Sequence, residues 1–286
     1  MSHVTILFFI ASIIIILFVI VVAFCSLSFQ RNVGDEISDL SQRAKETKTE
    51  SLSGERIDFL PEPVQRYVRY SLPEGAEPVR FARMKQTGEF RTDPAGVWMP
   101  VEAEQYFSAG FPAFIWHAKI QFWSLFWIDV RDKYDGGEGN MLVKIFSTIP
   151  VADAKGPEID VSSLHRYIGE MPWFPTAFLN EEHITWEPID SSHAKAVITD
   201  GENVASVEFS FDEEGRITKV TTEERFRTVG NQFSADKWTG YYYDYQEKNG
   251  LNVPMEIMGE WNLPDGNFSY VKLRVTEMEY DVFSGY

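Results

Sequence analysis

The sequence predicts a mainly β protein: a large curved antiparallel sheet or partial barrel of about twelve strands. An N-terminal helix and a central kinked helical plug accompany the sheet, and one transmembrane helix precedes it. Three observations predict this. Apolar and polar residues alternate through most of the chain, the period of a half-buried strand. Short turns rich in Gly, Asn and Asp separate the alternating runs, so neighbouring strands are antiparallel. Residues Val4 to Cys25 carry no charge.

That uncharged stretch is 22 residues of mainly Ile, Val, Leu and Phe. As a helix rising about 1.5 Å per residue it spans the hydrocarbon core of roughly 30 Å. "MSH" has no Lys or Arg, and Phe24 stands before Cys25 where a processing site needs a small residue. The segment therefore reads as a retained anchor, not a cleaved signal or a lipidated terminus. The expected division is 1–28 transmembrane anchor, 29–58 polar tether and 59–286 single β-rich domain. The tether is polar, has only Phe29 as an aromatic at its edge, and reads as unable to bury a core. Cys25 is the only cysteine, so the domain has no internal disulfide. The chain carries a net charge of -17, and no Asp or Glu precedes Asp35. Such an acidic surface repels phosphate backbones, which argues against nucleic acid as a partner.

Within the domain, "LPEPVQRYVRYSLP" sets Val64, Tyr67 and Val68 at helical spacing after Pro63, giving the N-terminal helix. Strands follow. Val97, Met99, Val101 and Ala103 share one face, as do Phe114, Trp116, Ala118 and Ile120, then Phe126, Ile128 and Val130, then Met141, Val143 and Ile145. Later runs place Ala205, Val207, Phe209 and Phe211 together, and Val271, Leu273 and Val275. Turns such as "TDPAG", "DGGEG", "DGEN" and "PDGN" join them. Midway, Leu164, Tyr167, Ile168 and Met171 fall at i, i+3, i+4 and i+7, with Asp160 as the expected cap. Pro172 and Pro175 then break the helix around Trp173 and Phe174, which makes this segment the natural cover for a concave apolar face.

The segments "LPEPVQRYVRYSLPEG", "VRDKYDGGEGNM", "LHRYIGEMPWFPTAFL", "ITWEPID" and "PDGNFSY" resemble an uncharacterised family of bacterial and archaeal domains of unknown function, from about Phe59 to the C-terminus. More distantly, the order of strands, helical plug and strands is similar to the LolA-like half-barrels, which include lipoprotein carriers and lipid-binding lipoproteins. That resemblance implies an apolar ligand and a domain on the extracytoplasmic side of the membrane. Arg31 and Arg43, following the span, pull mildly the other way.

Signatures of chemistry are sparse. The domain's histidines, His117, His165, His183 and His193, have no metal-binding spacing, and no nucleophile elbow or phosphate loop occurs. Neither a metal nor another cofactor is expected. Asp129, Asp132, Asp135 and Glu138 crowd one strand end without the spacing of a calcium loop. Arg166 and Glu170, at i and i+4, read as a solvated ion pair. The expected ligand pocket and gate comprise Trp173, Phe174, Phe178, Trp116, Trp123, Trp127 and Tyr167, although for any single ring core packing is the better reading. The leading function is a membrane-anchored, non-catalytic binding domain for a lipid or lipid-linked molecule. The alternatives are a hydrolase-like enzyme with a pocket near His165 and Glu170, or a structural, protein-interacting domain of the cell envelope.

Overall fold

A computed structural model describes residues 3–48, 57–123, 126–230 and 232–286. Helix α1 (His3–Glu46) comes first and α2 (Glu62–Ser71) second. Six strands follow: β1 (Phe81–Phe90), β2 (Met99–Ser108), β3 (Ala113–Trp123), β4 (Phe126–Asp135), β5 (Glu138–Ile145) and β6 (Ile149–Lys155). The plug is α3 (Pro157–Glu170) with two 3-10 turns, Met171–Trp173 and Pro175–Leu179. The remaining strands are β7 (Ile184–Pro188), β8 (His193–Asp200), β9 (Asn203–Phe211), β10 (Ile217–Val229), β11 (Gln232–Lys248), β12 (Leu251–Leu263) and β13 (Gly266–Tyr280).

All thirteen strands form one antiparallel sheet in the order β6-β5-β4-β3-β2-β1-β13-β12-β11-β10-β9-β8-β7. Each half is a meander, and the two halves join where β1 pairs with β13. The plug therefore connects one edge of the sheet to the other. The sheet curls into a half-barrel whose wings meet at one rim. Asn203, which opens β9, donates to the Gly137 carbonyl at 2.7 Å, and Tyr134 of β4 donates to Asp200 of β8 at 2.8 Å. Strong right-handed twist makes such curling the ordinary outcome for a sheet this wide.

Side chains alternate across the sheet as its period requires. Val101, Ala103, Phe107, Phe114, Trp116 and Ala118 face the plug in the main core. Phe81, Tyr106, Ala113 and Ile115 face the opposite way into a second core. The partner in that second core is α1. Phe29, Val33, Ile37, Leu40 and Ala44 are all buried there, spaced by four, four, three and four residues along one helical stripe.

This corrects the reading of residues 29–58 as a loose tether. Residues 29–46 are helical and dock on the convex face, because the stripe meets an apolar surface that local polarity does not disclose. Ion pairs fix the docking. Glu36 meets Lys133 at 2.9 Å and Arg131 at 3.4 Å, and Arg43 meets Asp135 at 2.7 Å. Residues 49–56 of the expected tether lie outside the described residues. The N-terminal part of α1 is exposed, and it contains an 18-residue window of mean hydropathy 3.5, long and apolar enough to cross a membrane.

Candidate functional site

Helix α3 begins earlier than expected. Its N-cap is Gly156, Pro157 occupies the first turn, and Asp160 lies within the helix. There Asp160 accepts a hydrogen bond from the Gly139 N–H at 2.7 Å, tying the helix to β5 instead of capping it. Gly139 permits this close approach, since a Cβ at that position would stand 2.6 Å from Ser163 Oγ and 2.7 Å from the Ile159 carbonyl oxygen. Leu164, Tyr167, Ile168 and Met171 are buried, as their spacing predicts. Beyond them Pro172 has no backbone donor and the chain tightens into two 3-10 turns.

The broken segment is held by side chains of the sheet and α2 that reach its backbone. Tyr280 Oη donates to the Trp173 carbonyl at 2.7 Å, Trp186 Nε1 to that of Phe178 at 3.2 Å, and Tyr242 Oη to that of Gly169. Thr176 Oγ1 accepts from the Val79 N–H at 3.1 Å. In return Trp173 Nε1 donates to the Pro254 carbonyl at 2.9 Å. Trp173, Phe174 and Phe178 are each 1% exposed or less, and Phe107 meets Phe174 with ring centroids 4.7 Å apart.

Of the seven expected pocket residues, Trp173, Phe174, Phe178, Tyr167 and Trp116 come together in this main core. Trp123 and Trp127 do not. Trp123, at the end of β3, is 71% exposed, and the half-buried Trp127 packs its ring against Phe146. The plug residues themselves occupy the concave side. A groove of about 440 Å³ lies elsewhere, lined by Lys195, Glu208, Lys219, Glu223, Lys237 and Tyr241. Those charges make it a polar surface rather than an apolar pocket.

Beneath the plug runs a buried polar chain. Arg166 pairs with Asp132 at 2.6 Å and with Glu170 at 3.0 Å. Glu170 also accepts from Gln105 at 2.7 Å, Gln105 from Gln86 at 3.1 Å, and Gln86 from Trp116 Nε1 at 3.0 Å. The Arg166 guanidinium lies 4.9 Å from the Phe114 ring centroid and 5.1 Å from that of Trp116. The expected solvated pair is thus a buried one, because the half-barrel encloses the helix face that sequence periodicity marks as polar. Burial pushes the Glu170 carboxyl up, and Arg166 and Gln105 oppose that push.

His165 is 3% exposed, and its Nδ1 lies 3.0 Å from the Val161 carbonyl oxygen. Burial, and then the nearby Arg225 charge, push its imidazole down to about 4. The ordinary value is about 6.5, so on acidification the unfolded chain takes up this proton before the folded one. Stability is therefore expected to fall as pH drops from about 6.5 to about 4, and His165→Gln should remove that part of the slope. Urea midpoints at several pH values check it; identical slopes in the two proteins would sink the assignment.

Asp129, Asp132 and Asp135 are each engaged, by Trp127 and Ser147, by Arg166 and by Arg43 respectively. Among the described residues no group of His, Cys, Asp and Glu is placed to hold a metal ion.

Arg225 escaped sequence reading. It is 9% exposed, its guanidinium lies 4.4 Å from the Trp238 ring centroid and 5.7 Å from that of Trp261, and its buried Nε has no hydrogen-bond partner among the described residues. A bulge between Thr222 and Arg225 shifts the alternation at that point, and the adjacent Glu223 and Glu224 give the stretch a solvated look.

The family DUF6920, described as a family of unknown function, matches residues 58–280. No curated protein matches the chain significantly. Among solved structures, a LolA superfamily protein from Nitrosomonas europaea is similar at 11% identity and a TM-score of 0.39, covering 76% of this chain and 91% of its own. A DUF1329 family protein from Desulfovibrio piger is similar at 10% identity and a TM-score of 0.31, covering 87% of this chain and 93% of its own.

Proposed function

The chain belongs to DUF6920, a family of unknown function, and from its geometry we propose a membrane-anchored, non-catalytic binding domain for an apolar ligand, a lipid or a lipid-linked molecule. The observation that carries the proposal is the plug. It is a proline-broken segment joining the two edges of the sheet, and its rings fill the concave apolar face. Beyond the edges, side-chain hydrogen bonds hold it, with no share in the strand ladder. Each such bond contributes only about 1 kcal/mol net, and an acyl chain entering the concave face would replace part of the apolar contact that the displaced rings give up. Trp173 and Phe174 are the gate in this reading, and Phe178, Tyr167 and Trp116 line the space it vacates. Arg225, with its unpartnered Nε between two Trp rings, is the group suited to an acidic head.

The anchor is the uncharged part of α1, and we place the domain outside the cytoplasm. Only two basic residues, Arg31 and Arg43, lie within about 18 residues after Cys25, so the opposing charge bias is small. The test is mass spectrometry of organic extracts of the purified full chain, together with alkaline phosphatase fused after Tyr286. Because the span itself carries bilayer lipid, the expected result is a lipid retained by the parent chain and lost from the same chain with Trp173→Ala, together with an active phosphatase. A chain that carries no lipid and retains no fluorescent acyl probe is a structural domain, and the proposal falls.

A further inference from the structure

Four rings cluster at the ends of β3 and β4 and in the turn after β5. Phe122, Trp123, Phe126 and Phe146 lie 5.2–6.3 Å apart, centroid to centroid, in a chain of contacts. The main core does not include them. Phe122 and Phe126 are each 40% exposed, Trp123 is 71% exposed, and nearby Ile149 is 52% exposed. An acidic protein gains nothing from presenting such a patch to water.

Helix α1 gives the patch a position. Phe18 packs edge-on against Phe146, with ring centroids 6.0 Å apart. Phe18 lies seven residues inside the Cys25 end of the uncharged run, so the patch sits about 10 Å inward of that end along the helix.

Polarity changes along both partners at the same level. Outward of Cys25, Phe29 meets Lys144 and His117, Glu36 meets Lys133 and Arg131, and Arg43 meets Asp135. Inward, the Phe18 contact is purely aromatic. Between the two levels stands Trp127, with the Lys119 ammonium 5.1 Å from its ring centroid and its Nε1 donating to Asp129 at 2.8 Å. A half-buried Trp beside a long amine is a pairing that suits a membrane–water boundary.

We propose that the ends of β3 and β4, with Phe146 and Ile149, are immersed in the same bilayer that α1 crosses, so that this end of the half-barrel is seated in the acyl region beside its anchor. The inference rests on α1 spanning the membrane. It gives the domain a second, non-helical contact with lipid and fixes its orientation, with the rim formed by Gly137 and Asn203 directed away from the membrane.

The experiment uses the full chain with Cys25→Ser and a single new cysteine, Trp123→Cys or Ile149→Cys, labelled with an environment-sensitive dye. Glu202→Cys, in the far turn, is the control. The proteins are reconstituted in phosphatidylcholine vesicles with and without lipids brominated along the acyl chain. Flotation with the vesicles is expected for all three. Blue-shifted emission quenched by bromine is expected at positions 123 and 149, and water-like, unquenched emission at 202. A chain that floats while positions 123 and 149 remain water-like overturns the immersed end and leaves the anchor standing. A chain that does not float overturns both.

Discussion

Trp173→Ala is expected to lower the unfolding free energy by about 3–5 kcal/mol, the range for truncating a buried Trp. The ring is 1% exposed, it packs against Phe107 at 6.2 Å between centroids, and its Nε1–H is committed to the Pro254 carbonyl. Loss of the ring also leaves that carbonyl without its donor, so the upper half of the range is the better expectation. A domain's total stability is only about 5–15 kcal/mol, which makes this a large fraction. Trp173→Phe keeps most of the bulk and removes the hydrogen bond, and is expected to lose far less. Urea unfolding of both variants measures it. A loss near zero for the alanine variant would show that the ring leaves the core in solution. Lipid retention supplies the second readout: a large stability loss with retention equal to the parent's would make Trp173 ordinary core and remove it from the gate.

Arg166→Met is expected to cost a similar 3–5 kcal/mol, for a different reason. Asp132 and Glu170 have side chains 15% and 11% exposed, and Arg166 is paired with both. Without the guanidinium, two carboxylates stand in the same enclosed space, each short of its counter-charge. Burial already pushes the Glu170 carboxyl up, and its protonation relieves the repulsion, so the loss should shrink as pH is lowered. The triple variant Asp132→Asn, Arg166→Met, Glu170→Gln should recover much of the stability, since replacing a buried ionic group whole is far less costly than breaking it. A loss under about 1 kcal/mol for the single variant, the size of an exposed pair, would show that water reaches the network.

Much of the half-barrel was legible because its signals are local. Alternation along Phe114, Trp116, Ala118 and Ile120 needs no knowledge of any other strand, and the prolines at 172 and 175 forbid a central strand or a continuous helix wherever they fall. The uncharged run from Val4 to Cys25 states its own length and polarity in the same way. Chain order also carried the plug's place, halfway through the strands.

What only the tertiary structure decided is which surface each face meets. Phe29, Val33, Ile37, Leu40 and Ala44 are a visible stripe in a polar stretch, yet the stripe is a packing surface only because Phe81, Tyr106 and Ile115 stand on the convex face opposite it. Arg166 and Glu170 look solvated along the sequence and are buried because the curled sheet surrounds α3. Trp123 has the composition of core and lies outside it, because the end of β3 joins an exposed ring cluster with Phe122 and Phe126. Arg225 is hidden by a bulge that changes the phase of β10. Periodicity is set by neighbours a few residues apart, whereas burial is set by the curvature of thirteen strands together. That curvature placed the rings of the plug in the core.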